Sequence, residues 1–381
     1  MIIKSVELSD FRNYENLSLN FDKGINILYG DNAQGKTNLL EAIFLSLTTK
    51  SHKGAKDKEC IRFSSNEAHI RTAVDRNGLI QRIDVHLRAS KGKGVAIDGL
   101  KMKKASDFLK KLSARVIFFA PEDLEIIKGP PLGRRRYLDL ELCQADHLYM
   151  ESLQKYTKLL QQRSSVLLKI KENYKKNTFD KTDINTLLDI YDKSLVECGS
   201  EIIKKRAVFI ENLNPVMKKV HGIITADKED LSLLYAPNVN IREYEEELRL
   251  SRQKDIATAQ TNCGPHRDDI SFMVRNYHSG KLSNRSIDIR KFGSQGQQRT
   301  CALSMKLAEI ELVKKNGYSA PIMLLDDVLP ELDESRQNKL LSAIGDLQTI
   351  MTCTGLDDFV LSRLKVDKIF RVTDGNIEAQ N

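Results

Sequence analysis

Gly30-Asp31-Asn32-Ala33-Gln34-Gly35-Lys36-Thr37 stands between a short apolar run, Ile25-Asn26-Ile27-Leu28-Tyr29, and the helically spaced Leu39, Leu40, Ile43, Phe44 and Leu47. The octapeptide fits G-x-x-x-x-G-K-[ST], and strand, loop and helix in that order is the setting in which this pattern binds phosphate. Its glycines let backbone N–H groups turn toward phosphate oxygens. Lys36 brings a point charge to the β- and γ-phosphates, and Thr37 offers a hydroxyl to Mg²⁺. The helix behind adds the positive end of its dipole. The stretch predicts an α/β sheet carrying a nucleotide site, with ATP and Mg²⁺ as cofactors and Gly30, Asp31, Asn32, Ala33, Gln34, Gly35, Lys36 and Thr37 as its cradle.

A phosphate loop needs a carboxylate to complete its metal site. Ile322-Met323-Leu324-Leu325 is fully apolar and ends in Asp326-Asp327, at the end of a buried strand, where open sheets place their ligands. Asp326 is the expected Mg²⁺ partner beside Thr37, and Asp327, with Lys36, the expected catalytic residue, as base or water-orienting group. The alternative for the acids is a helix N-cap. The two halves of this site stand far apart in the chain, unlike those of simple GTPases and kinases. Such an insertion is the habit of ABC-type heads, which carry a second phosphate-contacting element. Phe292-Gly293-Ser294-Gln295-Gly296-Gln297-Gln298-Arg299 is the candidate. Ser294 with Gln297 reads as a capping box, which accounts for both without any function. A helix N-terminus bearing a serine hydroxyl is also an anion site. In that reading Ser294, Gly296 and Gln297 face a nucleotide held by a second copy, and two chains sandwich two ATP molecules.

Several of these stretches together resemble the RecF family of bacterial recombinational repair ATPases, which are related to SMC heads. The resemblance covers nearly the whole chain, in order. It comprises Leu8–Tyr14, Gly30–Ile43, Phe119–Leu124 followed by Gly133–Asp139, Gly264-Pro265-His266-Arg267-Asp268-Asp269, Ser294–Arg299, and Leu325–Leu329 with Glu331-Leu332-Asp333. Pro330 stands where the family usually has serine and Asp31 where it often has glutamate; neither touches the phosphate chemistry. Met351-Thr352-Cys353-Thr354 offers no switch histidine, and together with an aspartate at 327 this implies slow hydrolysis. The resemblance implies an ABC/SMC-type ATPase head, a P-loop sheet with an antiparallel flank, plus a helical second lobe. The head is expected from residues 1–120 and 290–381, and the second lobe from 121–289 with a helical arm over about 140–225. It further implies a nucleotide contact for Arg12, an ATP-dependent homodimer, and DNA binding at single-strand gaps or junctions of single- and double-stranded DNA. RecO and RecR are the implied protein partners.

Away from these motifs the chain alternates apolar and polar residues over its first thirty positions, and again after residue 66, with a hairpin signal at Asp75-Arg76-Asn77-Gly78. Long helices follow from about 135 to 222, with a polar break at Asn177–Asp183. The chain of 381 residues is 41% hydrophobic and 29% charged, a globular balance. No run of about 18 apolar residues suggests a membrane span. The six cysteines form no C-x-x-C pair, the usage of a cytoplasmic protein with reduced thiols. A net charge of +8 favours polyanions. Lys91, Lys93, Lys101, Lys103, Lys104, Lys110 and Lys111 are one candidate DNA surface and Arg134-Arg135-Arg136 another; a charge run is more often a solvated face, and an acid within the protein would compensate the arginines as well as DNA would. Trp is absent and aromatics are 6%, which gives no stacking platform for single strands. The alternatives are another SMC-like repair ATPase, which would need a far longer coiled-coil insert, a transporter ATPase, and a P-loop kinase acting as a monomer, which would leave Ser294–Arg299 unexplained.

Overall fold

The computed structural model describes residues 1–174, 181–278, 281–315, 320–355 and 365–380. They form two compact units, Met1–Asp123 with Ala302–Asn381, and Leu124–Cys301. The chain begins with β1 (Ile2–Phe11), β2 (Tyr14–Asn20), β3 (Ile25–Tyr29) and α1 (Lys36–Thr48). Then come β4 (Glu67–Arg76), β5 (Leu79–Arg88), β6 (Gly94–Ile97), β7 (Leu100–Lys101), α2 (Ala105–Leu112) and β8 (Val116–Phe119). The second unit supplies α3 (Leu124–Lys128), α4 (Pro131–Ala145), α5 (His147–Tyr174), α6 (Lys181–Thr225), β9 (Glu229–Ala236), α7 (Tyr244–Thr258), β10 (Asp269–His278), β11 (Lys281–Leu282), β12 (Ile287–Asp288) and α8 (Ile289–Phe292). Helix α9 (Gln295–Lys315) leads back to β13 (Ile322–Asp326), α10 (Glu334–Ile344), β14 (Thr349–Cys353), β15 (Val366–Thr373) and β16 (Asn376–Gln380).

The first unit holds two six-stranded sheets. One is antiparallel, in the order β2-β1-β4-β5-β6-β7, and its strands alternate buried and partly exposed positions, as in β4, because one face is packed and the other faces solvent. The turn from β4 to β5 places Asn77 at φ 55° and Gly78 at φ 86°, the left-handed pair of a type I′ hairpin. The other sheet runs β16-β15-β3-β14-β13-β8, parallel except for the β15–β16 edge. Its strands β8, β13 and β14 are buried along their whole length; β8 and Ile322–Leu325 of β13 are accordingly unbroken apolar runs, while β14 carries Thr349 and Thr352. Gln348 stitches the sheets together. Ile3 N donates to its Oε1 at 2.6 Å, and its Nε2 donates to the carbonyls of Ile3 and Asp22, both at 2.8 Å.

Helix α1 is more deeply buried than an amphipathic spacing suggests: every residue from Leu39 to Thr48 is buried. Its hydroxyl-bearing members survive by bonding locally. Ser46 Oγ donates to Ile43 O and Thr48 Oγ1 to Phe44 O. All six cysteines are buried and in no disulfide.

In the second unit, Leu167, Ile170, Ile184 and Leu188 form an apolar cluster of α5 and α6, with Val166 and Ile256 packed on it. The polar break expected at Asn177–Asp183 lies partly outside the described residues. The second unit also holds buried charges, and they are paired, as burial demands. Arg163, with no exposed side-chain surface, donates to Asp192 at 2.9 Å, Asp255 at 2.7 Å and Thr261 at 3.0 Å. Arg206 donates to Asp139, Asp268, the Tyr149 hydroxyl and the Pro265 carbonyl.

His266 sits among these groups. Its Nε2 lies 2.8 Å from the Thr261 carbonyl and its Nδ1 2.8 Å from the Tyr156 hydroxyl. A carbonyl only accepts, so Nε2 carries the proton and Nδ1 accepts from Tyr156. Burial pushes the imidazole pKa down to about 4. Above about pH 6.5 the ring is neutral in the folded and unfolded chain alike; between 6.5 and 4 only the unfolded chain gains the proton. Stability is therefore present above pH 6.5 and lost as pH falls toward 4. Denaturation at pH 7 and pH 4.5 is expected to cost the wild type about 2 kcal/mol more over that interval than His266→Gln, which has nothing to titrate.

Candidate nucleotide-binding site

The loop between β3 and α1 curls around its own lysine. Lys36 is 4% exposed, and its Nζ donates to the carbonyls of Gly30 at 2.6 Å and Asp31 at 2.9 Å. The ammonium is thus held at the loop's centre with donor capacity left for a phosphate. Asp31, Asn32 and Ala33 form the exposed crest, and Ala33 has φ 67°, in the left-handed region that makes the crest curl. Below it Gln34 is braced by two turns. Its carbonyl accepts from Asn13 Nδ2 at 3.3 Å and Gly375 N at 3.2 Å, and its Oε1 from Asp374 N. Gly35 has φ 110°, and a Cβ there would lie 2.4 Å from Asn13 Nδ2 and 2.9 Å from the Tyr14 hydroxyl. Only glycine fits this point.

The acids meet the loop where β13 ends. Thr37 Oγ1 donates to Asp326 Oδ1 at 2.8 Å, and Thr352 Oγ1 donates to the same oxygen at 2.9 Å. Thr352 Oγ1 also accepts the Asp327 N–H at 2.9 Å, so one hydroxyl ties down both acids. Asp327 takes φ 48°, a left-handed conformation that aspartate tolerates better than most residues. Its Oδ1 is buried and has no hydrogen-bond partner among the described residues. Burial raises the Asp326 carboxyl, and the two threonine bonds oppose the rise. Burial likewise raises Asp327, against the charge of Lys36. An orphaned acceptor at this place needs a water or cation to satisfy it.

This donor set fits ATP and Mg²⁺. The loop lysine is a cationic donor suited to phosphate, and the threonine hydroxyl and strand-end aspartate are hard oxygen ligands suited to magnesium. No group of three or more His, Cys, Asp or Glu side chains that could hold a metal occurs among the described residues; a magnesium carried mainly by phosphate oxygens needs none.

Other expected residues are placed as follows. Arg12, at φ 54° in the β1–β2 turn, donates from Nε and Nη2 to the Glu41 carboxylate at 2.9 and 3.1 Å, and from Nη1 to Glu59 O at 2.7 Å. Ser51 donates to the same carboxylate. The guanidinium is anchored beside α1. Ser294, Gly296 and Gln297 lie in the second unit, Ser294 and Gly296 exposed. Ser294 N donates to Gln297 Oε1 at 3.0 Å and Gln297 N to Ser294 Oγ at 3.2 Å, a complete capping box. The serine keeps its hydroxyl proton to donate outward.

The basic candidates separate. Arg134 is 3% exposed and bonded to Asp269 and to the carbonyls of Ile126 and Gly129, and Arg135 donates to Asp268 O at 2.8 Å. An internal acid, not a phosphate, compensates Arg134 at the start of α4. Lys93 is paired with Asp57 at 2.7 Å. Lys101, Lys103, Lys104, Lys110 and Lys111 are exposed on β7, α2 and the turn between them, with no carboxylate partner among the described residues. Asn13, Glu41 and Thr352 fall in stretches the sequence singles out, but their roles, like that of Asp374, are not read there, because each acts through a partner remote in sequence.

The family described as RecF/RecN/SMC N terminal domain matches residues 2–378. The chain is 52% identical over 378 residues to the DNA replication and repair protein RecF of Agathobacter rectalis, covering 99% of each chain. It is 48% identical over 382 residues to that of Lachnospira eligens, covering 100% of each. A solved structure of the recombination mediator protein RecF-ATP in the RecFOR pathway superposes with a TM-score of 0.86 at 32% identity, over 100% of this chain and 98% of that one. The Smc head domain of Pyrococcus furiosus, at 16% identity and a TM-score of 0.54 over 100% of this chain and 96% of that one, shares the fold.

The packing at Gly35 gives a direct test of the cradle. Gly35→Ala is expected to weaken ATP binding about tenfold or more, the cost of a strained backbone plus a displaced Asn13. Asn13→Ala added to it should recover little, since the φ of 110° remains. Titration with a fluorescent ATP analogue reads both.

Proposed function

This chain belongs to the RecF family, and on that premise we propose that it is an ATP-binding DNA repair protein whose nucleotide closes a homodimer on DNA. The observation that carries the reading is the 2.8 Å bond from the Thr37 hydroxyl to Asp326 across 289 positions. It puts the acids of β13 beside the phosphate cradle, where an ATPase needs them. Thr37 and Asp326 would hold Mg²⁺, which when bound neutralises charge on the β- and γ-phosphates. Lys36 binds the phosphates. Asp327, with an unsatisfied carboxylate oxygen, orients the attacking water. Slow hydrolysis then serves as the opening step, not as the purpose of the site. Ser294, Gly296 and Gln297 present their helix start to the nucleotide of a second copy. Arg12 reaches the nucleotide by leaving or sharing Glu41.

The DNA contact is assigned to Lys101, Lys103, Lys104, Lys110 and Lys111. A lysine on the short edge strand β7 also discourages edge pairing, but four more lysines without a carboxylate partner, on the adjoining turn and helix, exceed that need. Gapped DNA as substrate, RecO and RecR as partners, stimulation of hydrolysis by DNA and a cytoplasmic location belong to the same reading and rest on the family. No helix among the described residues is long and apolar enough to cross a membrane.

Light scattering should show the mass doubling with ATP and Mg²⁺ but not with ADP, while Lys36→Met stays monomeric. ATP that binds without changing the mass would sink the sandwich and reopen the reading as a monomeric kinase. Replacing the five lysines by glutamine should flatten the dependence of log DNA affinity on log salt by about 0.9 for each phosphate that is no longer neutralised. An unchanged slope places the DNA elsewhere.

A further inference from the structure

Two motifs lack a role in the reading above: the arginine run at the start of α4, and Gly264–Asp269. The second unit joins them at one carboxylate. Asp269 Oδ1 accepts from Arg134 Nε at 2.5 Å and Oδ2 from Arg134 Nη2 at 3.1 Å, while Oδ2 also accepts from Arg290 Nη1 at 2.6 Å. Arg134 is itself fixed, being buried and bonded to the carbonyls closing α3. Burial raises the Asp269 carboxyl, but the bonds from Arg134, the Ile270 N–H and Arg290 outweigh it and the net direction is down. The aspartate is a charged, immobile post.

Arg290 is held to that post on every side of its guanidinium. Besides Asp269, it donates to the Ile270 carbonyl at 3.0 Å, the Ser271 hydroxyl at 3.1 Å and Asp288 Oδ2 at 2.6 Å. It lies in α8, a single turn of helix whose Asp288 cap accepts from the Arg290 N–H. Gly293 follows with no room to spare: a Cβ there would stand 2.6 Å from the Ile289 carbonyl. The next residue is Ser294. The first turn of α9 is tied back to the same short helix, since Gln298 Nε2 donates to Ile289 O at 3.3 Å. On its other side Gln297 Nε2 donates to Glu229 Oε1 at 2.9 Å. Among the described residues Ser294 bonds only within its own turn, through its capping bonds and its carbonyl, which accepts from Gln298 N at 2.9 Å, so its place is set by what anchors α8 and Gln297.

We propose that the Asp269–Arg290 pair is the positioning device of the Ser294 turn, with Arg134 as the buried brace that keeps Asp269 in place. Arg290 touches no nucleotide in this assignment. It fixes where the serine hydroxyl and the helix start are presented, and so governs how well a second copy's ATP is grasped. The inference rests on the reading of Ser294 as a contact to that ATP. It gives the arginine at 134 and the aspartate at 269 a common purpose that neither DNA binding nor chemistry supplies.

The test compares full-length Arg290→Gln, Arg290→Lys, Asp269→Asn and Ser294→Arg with the wild type. Three quantities are read: dimer dissociation constant in ATP and Mg²⁺, ATP affinity of the dilute monomer, and melting temperature. Arg290→Gln and Asp269→Asn are expected to weaken ATP-bound dimerisation about tenfold or more, as loss of a charged hydrogen bond does, with monomer ATP affinity within about twofold of wild type. Arg290→Lys, which keeps the charge but not the fork, should fall between. Ser294→Arg should abolish dimerisation. If the Arg290 and Asp269 variants dimerise like the wild type while Ser294→Arg does not, the positioning role is overturned and the sandwich stands. If Ser294→Arg also dimerises normally, the sandwich reading itself has failed. A purely structural pair would lower melting temperature without a selective loss of dimerisation. Should Arg290→Gln not fold, Arg290→Lys decides by the same criteria.

Discussion

The sheet that carries the phosphate loop is completed only by strands from the other side of the insertion. β3 lies between β14 and β15 in parallel register, Ile27 opposite both Met351 and Ile369, and β13 joins β14 on its far side. Parallel neighbours cannot be joined by tight turns, so each must arrive by a crossover. Here one crossover contains a whole second unit. The arrangement brings Thr37, Asp326 and Thr352 within hydrogen-bond reach. It also explains why a nucleotide site can be assembled from halves that look unrelated along the chain. Every further property of the site hangs on that register, since a slip of one residue in β13 would turn Asp326 to the opposite face of the sheet.

What is legible in the sequence follows from the range over which its chemistry acts. The loop Gly30–Thr37 is a local device whose glycines, lysine and threonine work on one another's backbone, so spacing alone identifies it. The acids at 326 and 327 are legible because a fully buried strand has to be apolar, and two carboxylates at its end are conspicuous. The capping box at Ser294 and Gln297 is also local, and the structure forms it as written. Less legible are groups defined by distant partners. Thr352 reads only as a place without histidine, yet its hydroxyl is what holds both acids. Glu41 lies within the loop-and-helix stretch with no role read from it, and is a buried acceptor for Arg12 and Ser51. Asp374 and Gly375, which brace Gln34, are an ordinary hairpin turn by sequence.

The arginine run shows the limit most clearly. Arg134, Arg135 and Arg136 form a charge run, and a charge run says nothing about its counterions. The partner of Arg134 stands 135 positions away. Composition points to polyanions; packing gives that arginine to Asp269. The lysines at 101–111 carry the same ambiguity in sequence, and no carboxylate among the described residues reaches them.

The threading of β3 has a consequence for how the molecule is made. Ile3 and Gln348, which share a pair of hydrogen bonds, are 345 positions apart, and β3 has no sheet neighbour until β14 has been synthesised. At translation rates of about 5–20 residues per second the apolar β3 waits tens of seconds for its neighbours. The intervening unit has its own apolar cluster and internally paired charges, and can fold while the ribosome is still at work. The nascent head therefore spends its early life with β3 unpaired and both its edges bare, the state most exposed to wrong pairing and the one a holding chaperone would meet.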